Sequence, residues 1–118
     1  MAALNYIDLP WRTYWSAGAE RCGFVLLGGE IIEVPNIAKE PEDNFEIAHE
    51  DIEKYQGEIV ASWHTHPRGS ANLSQSDYQL FAQVPEWEHI IISRDEVTYY
   101  YLDDAKRIYR GETSYGNH

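Results

Sequence analysis

At 118 residues, 43% hydrophobic and 14% aromatic, the chain has the size of one domain burying about two-thirds of its unfolded surface, which excludes a disordered segment. A formal net charge of −11 argues against the cationic patches that grip phosphate backbones, so neither nucleic acid nor an anionic membrane is an expected partner. Most of the acids read as a solvated surface; a cationic substrate is permitted, not implied.

No apolar stretch reaches the roughly 18 residues of a spanning helix. Met1-Ala2-Ala3-Leu4-Asn5 lacks the basic start and apolar core of a secretion signal. Cys22 is the sole cysteine, so no internal disulfide can form, which fits a reducing, cytoplasmic setting.

Trp11, Tyr14 and Trp15 predict a short N-terminal helix, broken by Ala17-Gly18-Ala19. Residues 20–28 (ERCGFVLLG) are the continuous apolar run of a strand buried on both faces. Gly28-Gly29 is a turn, and Glu30 to Val34 returns as the second strand of a hairpin. Pro35 to Asn44 is a polar loop with two prolines, Phe45 to Ile47 a brief strand, and Ala48 to Gln56 a helix with Gly57 as its C-cap.

Glu58 to Trp63 is the next strand and leads into His64-Thr65-His66-Pro67. Pro67 to Leu73 is a loop, and Ser74 to Gln83 a helix that stops before Pro85. Glu88 to Arg94, Val97 to Leu102 and Arg107 to Tyr109 are closing strands, with Asp95-Glu96 and Asp103-Asp104 at the turns between them. Gly111 to His118 is a polar, frayed tail. The pattern is an α/β (α+β) fold in a single domain over residues 1–118, with its core at about residues 20–110: one mixed sheet flanked by two or three helices.

The informative element is His64-Thr65-His66. Side chains two apart on a strand share a face, with Cα atoms roughly 6.5–7 Å apart. Both imidazoles can then reach one ion at about 2.0–2.1 Å. Asp77, in the first turn of a helix starting beside the strand end, can supply a third ligand. Three protein ligands and an open position describe a catalytic rather than a structural zinc site. Each piece has a plainer reading: His-x-His alone equally describes two polar residues on a solvent face, and Ser74-Gln75-Ser76-Asp77 alone reads as a capping box. Capping and ligation are compatible. Competing zinc signatures are absent: there is no H-E-x-x-H and no P-C-x-x-C. Cys22 reads as a buried, inert thiol. His49, His89 and His118 read as ordinary residues.

His64-Thr65-His66-Pro67, seven residues from His66 to Ser74, and then Ser-x-x-Asp resemble the H-x-H-x(7)-S-x-x-D signature of the JAMM/MPN+ zinc metalloproteases. Glu20-Arg21-Cys22-Gly23 and the apolar run after it resemble the segment of that family in which a catalytic Glu precedes the first strand. The match in order and character runs from about residue 20 to 94. Val34-Pro35-Asn36-Ile37-Ala38, Phe45-Glu46-Ile47 and Pro85-Glu86-Trp87 further resemble the compact prokaryotic and phage branch, notably the JAMM domain of phage tail-assembly proteins.

The resemblance implies a JAMM/MPN (cytidine-deaminase-like) architecture and one Zn²⁺ per chain on His64, His66 and Asp77. Glu20 would be the general base, and Ser74 would donate a hydrogen bond to the oxyanion. It implies hydrolysis of a peptide or of an isopeptide-linked protein, in phage tail assembly or cell-wall processing, with a phage-tail or ubiquitin-like partner and a cytoplasmic or virion-associated location. Two alternatives stand beside it: a non-catalytic JAMM-like scaffold, and a metal-dependent hydrolase of a small molecule. Composition and spacing alone do not distinguish Glu20 from the other acids.

Overall fold

The computed structural model describes residues 11–67, 77, 83–84, 86–94, 96–102 and 108–110. Ser74, most of the helix expected over 74–83 and the expected tail 111–118 lie outside the described residues. Six strands form one sheet: β1 (Cys22–Leu26), β2 (Ile31–Val34), β3 (Ile59–Thr65), β4 (Glu88–Ile92), β5 (Val97–Leu102) and β6 (Ile108–Arg110). Their order is β2-β1-β3-β4-β5-β6. β3 and β4 run parallel and every other pair is antiparallel, so the sheet is mixed. An α-helix, α1 (His49–Lys54), and a 3-10 turn (Trp11–Tyr14) accompany it.

The hydrophobic period of two sorts β1 and β3 into two faces. Val25, Ala61, Trp63, Ile90, Ile92, Val97 and Tyr99 pack together on one face, with Tyr14 and Trp15 against them. Cys22, Phe24, Leu26, Val34 and Trp87 pack on the other, covered by Phe45, Ile47, Ile52 and Tyr55. Because Ala61 and Trp63 point to the first face, Ser62 and His64 must point to the second. β1 is buried along its whole length, as expected of a strand covered on both sides.

A parallel pair needs a crossover, most often helical. Between β3 and β4 the chain makes that crossover, and Asp77 and Gln83 within it are helical. The connection brings Asp77 to the ends of the central strands.

Three expectations are corrected. The N-terminal helix is a single 3-10 turn, and Trp15 lies beyond it. α1 ends at Lys54 with Tyr55 as its C-cap; Gly57, with φ +86°, follows in the turn. Phe45 to Ile47 is not a strand. Its alternating apolar pattern arises because Phe45 and Ile47 both face the core, but the backbone pairs largely with a side chain. Asn36 Oδ1 accepts the Glu46 N–H at 3.0 Å, and only Ile37 N–H to Glu46 O (2.9 Å) resembles a ladder bond.

Gly23 holds the two layers together at closest approach. Trp63 lays its indole across β1 and donates from Nε1 to Ile32 O at 3.2 Å. A Cβ on Gly23 would run into that same Ile32 carbonyl and lie 2.7 Å from Trp63 Nε1. Gly28 has open space around it. We therefore expect Gly23→Ala to lower the unfolding free energy by at least ~1–3 kcal/mol, the usual cost of overpacking, and Gly28→Ala to be close to neutral. Urea denaturation midpoints of the two variants against the wild type check this.

Candidate metal centre

The end of β3 is fixed by backbone and side-chain bonds on both sides. Thr65 N–H donates to Arg21 O at 2.9 Å, and Arg21 N–H donates back to Thr65 Oγ1 at 2.8 Å. His66 follows the last strand residue, yet its N–H still bonds Ile92 O on β4 at 2.8 Å. Trp15 Nε1 donates to His66 O at 2.9 Å. The N-terminal tryptophan, expected to extend a helix, instead clamps the peptide that carries the second histidine.

His64, His66 and Asp77 converge, and all three are buried. The two Nε2 atoms are 3.2 Å apart. His64 Nε2 lies 2.9 Å from Asp77 Oδ1, and His66 Nε2 lies 3.4 Å from Asp77 Oδ2. Ligands at about 2.0–2.1 Å from a tetrahedral ion stand roughly 3.3–3.4 Å from one another. The imidazole pair, at 3.2 Å, is close to that spacing, and Asp77 sets a different carboxylate oxygen beside each ring, so one ligand atom from each residue lies within 4.8 Å of the others. Desolvation, the largest influence on His64, holds its pKa below the ordinary value, so the imidazole is neutral, as a metal ligand must be. The donor set of two imidazoles and one carboxylate suits zinc. Residues and geometry fit the ion.

Glu20 reaches the centre through strand register. β1 and β3 pair Cys22 with His64, and Thr65 bonds Arg21, so continuing the register sets Glu20 across from His66. Its side chain is buried, at 8% exposure. Burial pushes its pKa up to about 7; the positive potential of His66 opposes this, while the carboxylates of Asp77 and Asp43 add to it. A carboxyl near 7 can both take and return a proton at neutral pH.

Two residues that looked ordinary in the sequence also bear on the site. The Phe45 ring stacks on His64 with centroids 4.3 Å apart and 23° between planes. His89, opposite Ser62 in the parallel register, is fully buried, with Nδ1 2.8 Å from Ser62 Oγ. The sequence signal for Phe45 was its place in an apolar alternation; for His89 there was none. His49 is exposed and pairs with Glu53, and Cys22 is buried, its thiol pushed up to about 12 by desolvation. Both match the plain readings. His118 lies outside the described residues.

A family model described as prokaryotic homologs of the JAB domain matches residues 15–105. Among solved structures, the solution structure of protein DSY2949 from Desulfitobacterium hafniense matches with a TM-score of 0.56 and 22% identity. That match covers 80% of this chain and 76% of the other, a likeness of fold. The comparison with curated proteins gave no match. No helix among the described residues is long and apolar enough to cross a membrane.

His89 makes acid stability testable. Desolvation lowers its pKa from 6.5 to about 3, with His64 adding to the shift. Between those values the unfolded chain binds a proton that the folded one refuses, so the stability present above pH 6.5 is lost as pH falls towards 3. With a chelator present, the stability of the wild type relative to His89→Gln should fall by roughly 2–4 kcal/mol from pH 7 to pH 4. Urea unfolding of both proteins at the two pH values measures it. A constant difference would contradict the buried, neutral imidazole.

Proposed function

The chain belongs to the prokaryotic homologs of the JAB domain, and on that footing we propose that it is a zinc-dependent metallohydrolase cleaving an amide bond. The observation that carries the proposal is the buried convergence of His64, His66 and Asp77, whose ligand atoms lie within 4.8 Å of one another, with the two imidazole nitrogens 3.2 Å apart. That wider superfamily includes hydrolases, and the buried Glu20, across from His66 in the strand register and within the electrostatic reach of His66 and Asp77, supports the reading.

In the proposed reaction, His64, His66 and Asp77 would hold Zn²⁺, which would supply Lewis acidity and an acidified water at neutral pH. Glu20 would take a proton from the attacking water and return it to the leaving amine, and the upward push of burial on its carboxyl favours such a proton carrier. Ser74 is proposed to donate a hydrogen bond to the oxyanion of the scissile group. The proposed substrate is a peptide or an isopeptide-linked protein, with a role in phage tail assembly as the narrowest form of the proposal.

The test separates ligand from base. Metal content by mass spectrometry should show one Zn²⁺ per wild-type chain and none in His64→Ala. Glu20→Gln should keep the zinc while losing about 10²–10⁴-fold in turnover on isopeptide-linked and linear peptide substrates. Ser74→Ala should keep zinc and lose about 10²–10³-fold. Full activity in Glu20→Gln would remove Glu20 from its role. Bound zinc with no hydrolysis of any amide would point to a scaffold instead.

A further inference from the structure

We propose that Asn36 is the positioning residue of the centre: its side chain fixes the base and one metal ligand at the same time. The carboxamide makes four hydrogen bonds. Nδ2 donates to Glu20 O at 2.9 Å and to Asn44 O at 3.0 Å. Oδ1 accepts from Ala38 N at 3.0 Å and from Glu46 N at 3.0 Å. Two donors and two acceptor sites are all that an Asn side chain offers, and all are used.

The partners give this its meaning. Glu20 carries the proposed base. Asn44 and Glu46 are the two neighbours of Phe45, so Asn36 grips the peptide on either side of that ring. Phe45 in turn stacks on His64. A metal-ligating histidine is ordinarily oriented by a hydrogen bond from its other ring nitrogen. His64 Nδ1 is buried and has no such partner among the described residues. On the Nδ1 side, orientation of this ring therefore falls to the aromatic stack rather than to a hydrogen bond, and the stack depends on Asn36. The same Nδ2 that steadies the loop under His64 also holds the backbone of Glu20.

Residues 44–46 form no strand, and their backbone is held from the loop that leaves β2, where an Asn directly after Pro35 is suited to the task. Proline sets the direction of the chain, and the short amide side chain bonds backbone two residues on, here Ala38.

The position of the two rings is a matter of geometry and is tested without metal; the effect on zinc rests on the function proposed above. In chelator-treated wild type, NMR should show a Phe45–His64 ring–ring Overhauser contact, which Asn36→Ala and Asn36→Asp should lose. Asn36→Asp keeps the acceptor arm and replaces only the donors, and it should also move the Glu20 carbonyl ¹³C resonance upfield. A ring contact that persists in either folded variant overturns the proposal. Both side-chain amide protons of Asn36 should exchange slowly in the wild type, and fast exchange overturns it even if neither variant folds.

With zinc, Asn36→Asp and Phe45→Ala should each raise the dissociation constant about 10-fold or more, measured by competition with a chelating dye. The double variant should be no worse than Phe45→Ala alone; additive losses would overturn the relay through Phe45. Should the wild type bind no zinc at all, the metal-centre reading fails, and the ring contact still decides the role of Asn36.

Discussion

A slip of one residue in the pairing of β1 with β3 would turn the side chains of one strand to the opposite face of the sheet. His64 would leave its place beside Asp77, and Glu20 would no longer lie across from His66. Several interactions forbid that slip. Gly23 accepts the Trp63 indole only in the observed register, because every other β1 position in this stretch carries a Cβ. The Arg21–Thr65 exchange then closes the ladder one step before the site. Packing on one face of the sheet thus aligns the chemistry on the other.

The centre sits at the ends of deeply buried strands. Burial strengthens electrostatic interactions there and makes an uncompensated polar group costly. Asp77 answers the cost by bridging two imidazoles, at 2.9 and 3.4 Å. His89 serves a quieter purpose: buried, it ties β4 to β3 through Ser62 Oγ at 2.8 Å, beside the strand end that carries His64.

Local patterns made some of this legible in the sequence. Two histidines at strand spacing share a face by period alone, and the β1–β2 hairpin, β3 and β5 follow from apolar runs and turn residues close in the chain. Glu20 was different. Its place depends on which strand pairs with β1, a contact 44 residues away between Arg21 and Thr65, and only the family resemblance singled it out. Phe45 to Ile47 misled because two inward apolar residues look like a strand whether their backbone meets another strand or an Asn side chain. His89 misled because burial of a polar residue leaves no periodic trace when its neighbours Ile90, Ile91 and Ile92 are buried on both faces.

The acidity of the surroundings bears on how Glu20 works. Its carboxyl is raised by burial and by the carboxylates of Asp77 and Asp43, and lowered by His66. A divalent cation on the same ligands adds a stronger positive potential and pulls the value down from about 7. Under the proposed function, the negative charge of Asp77 would partly offset that cation at Glu20. The acidic character of the chain, uninformative as a total, therefore acts locally: Asp77 and Asp43 raise the proton affinity of Glu20 against the opposing pull of His66.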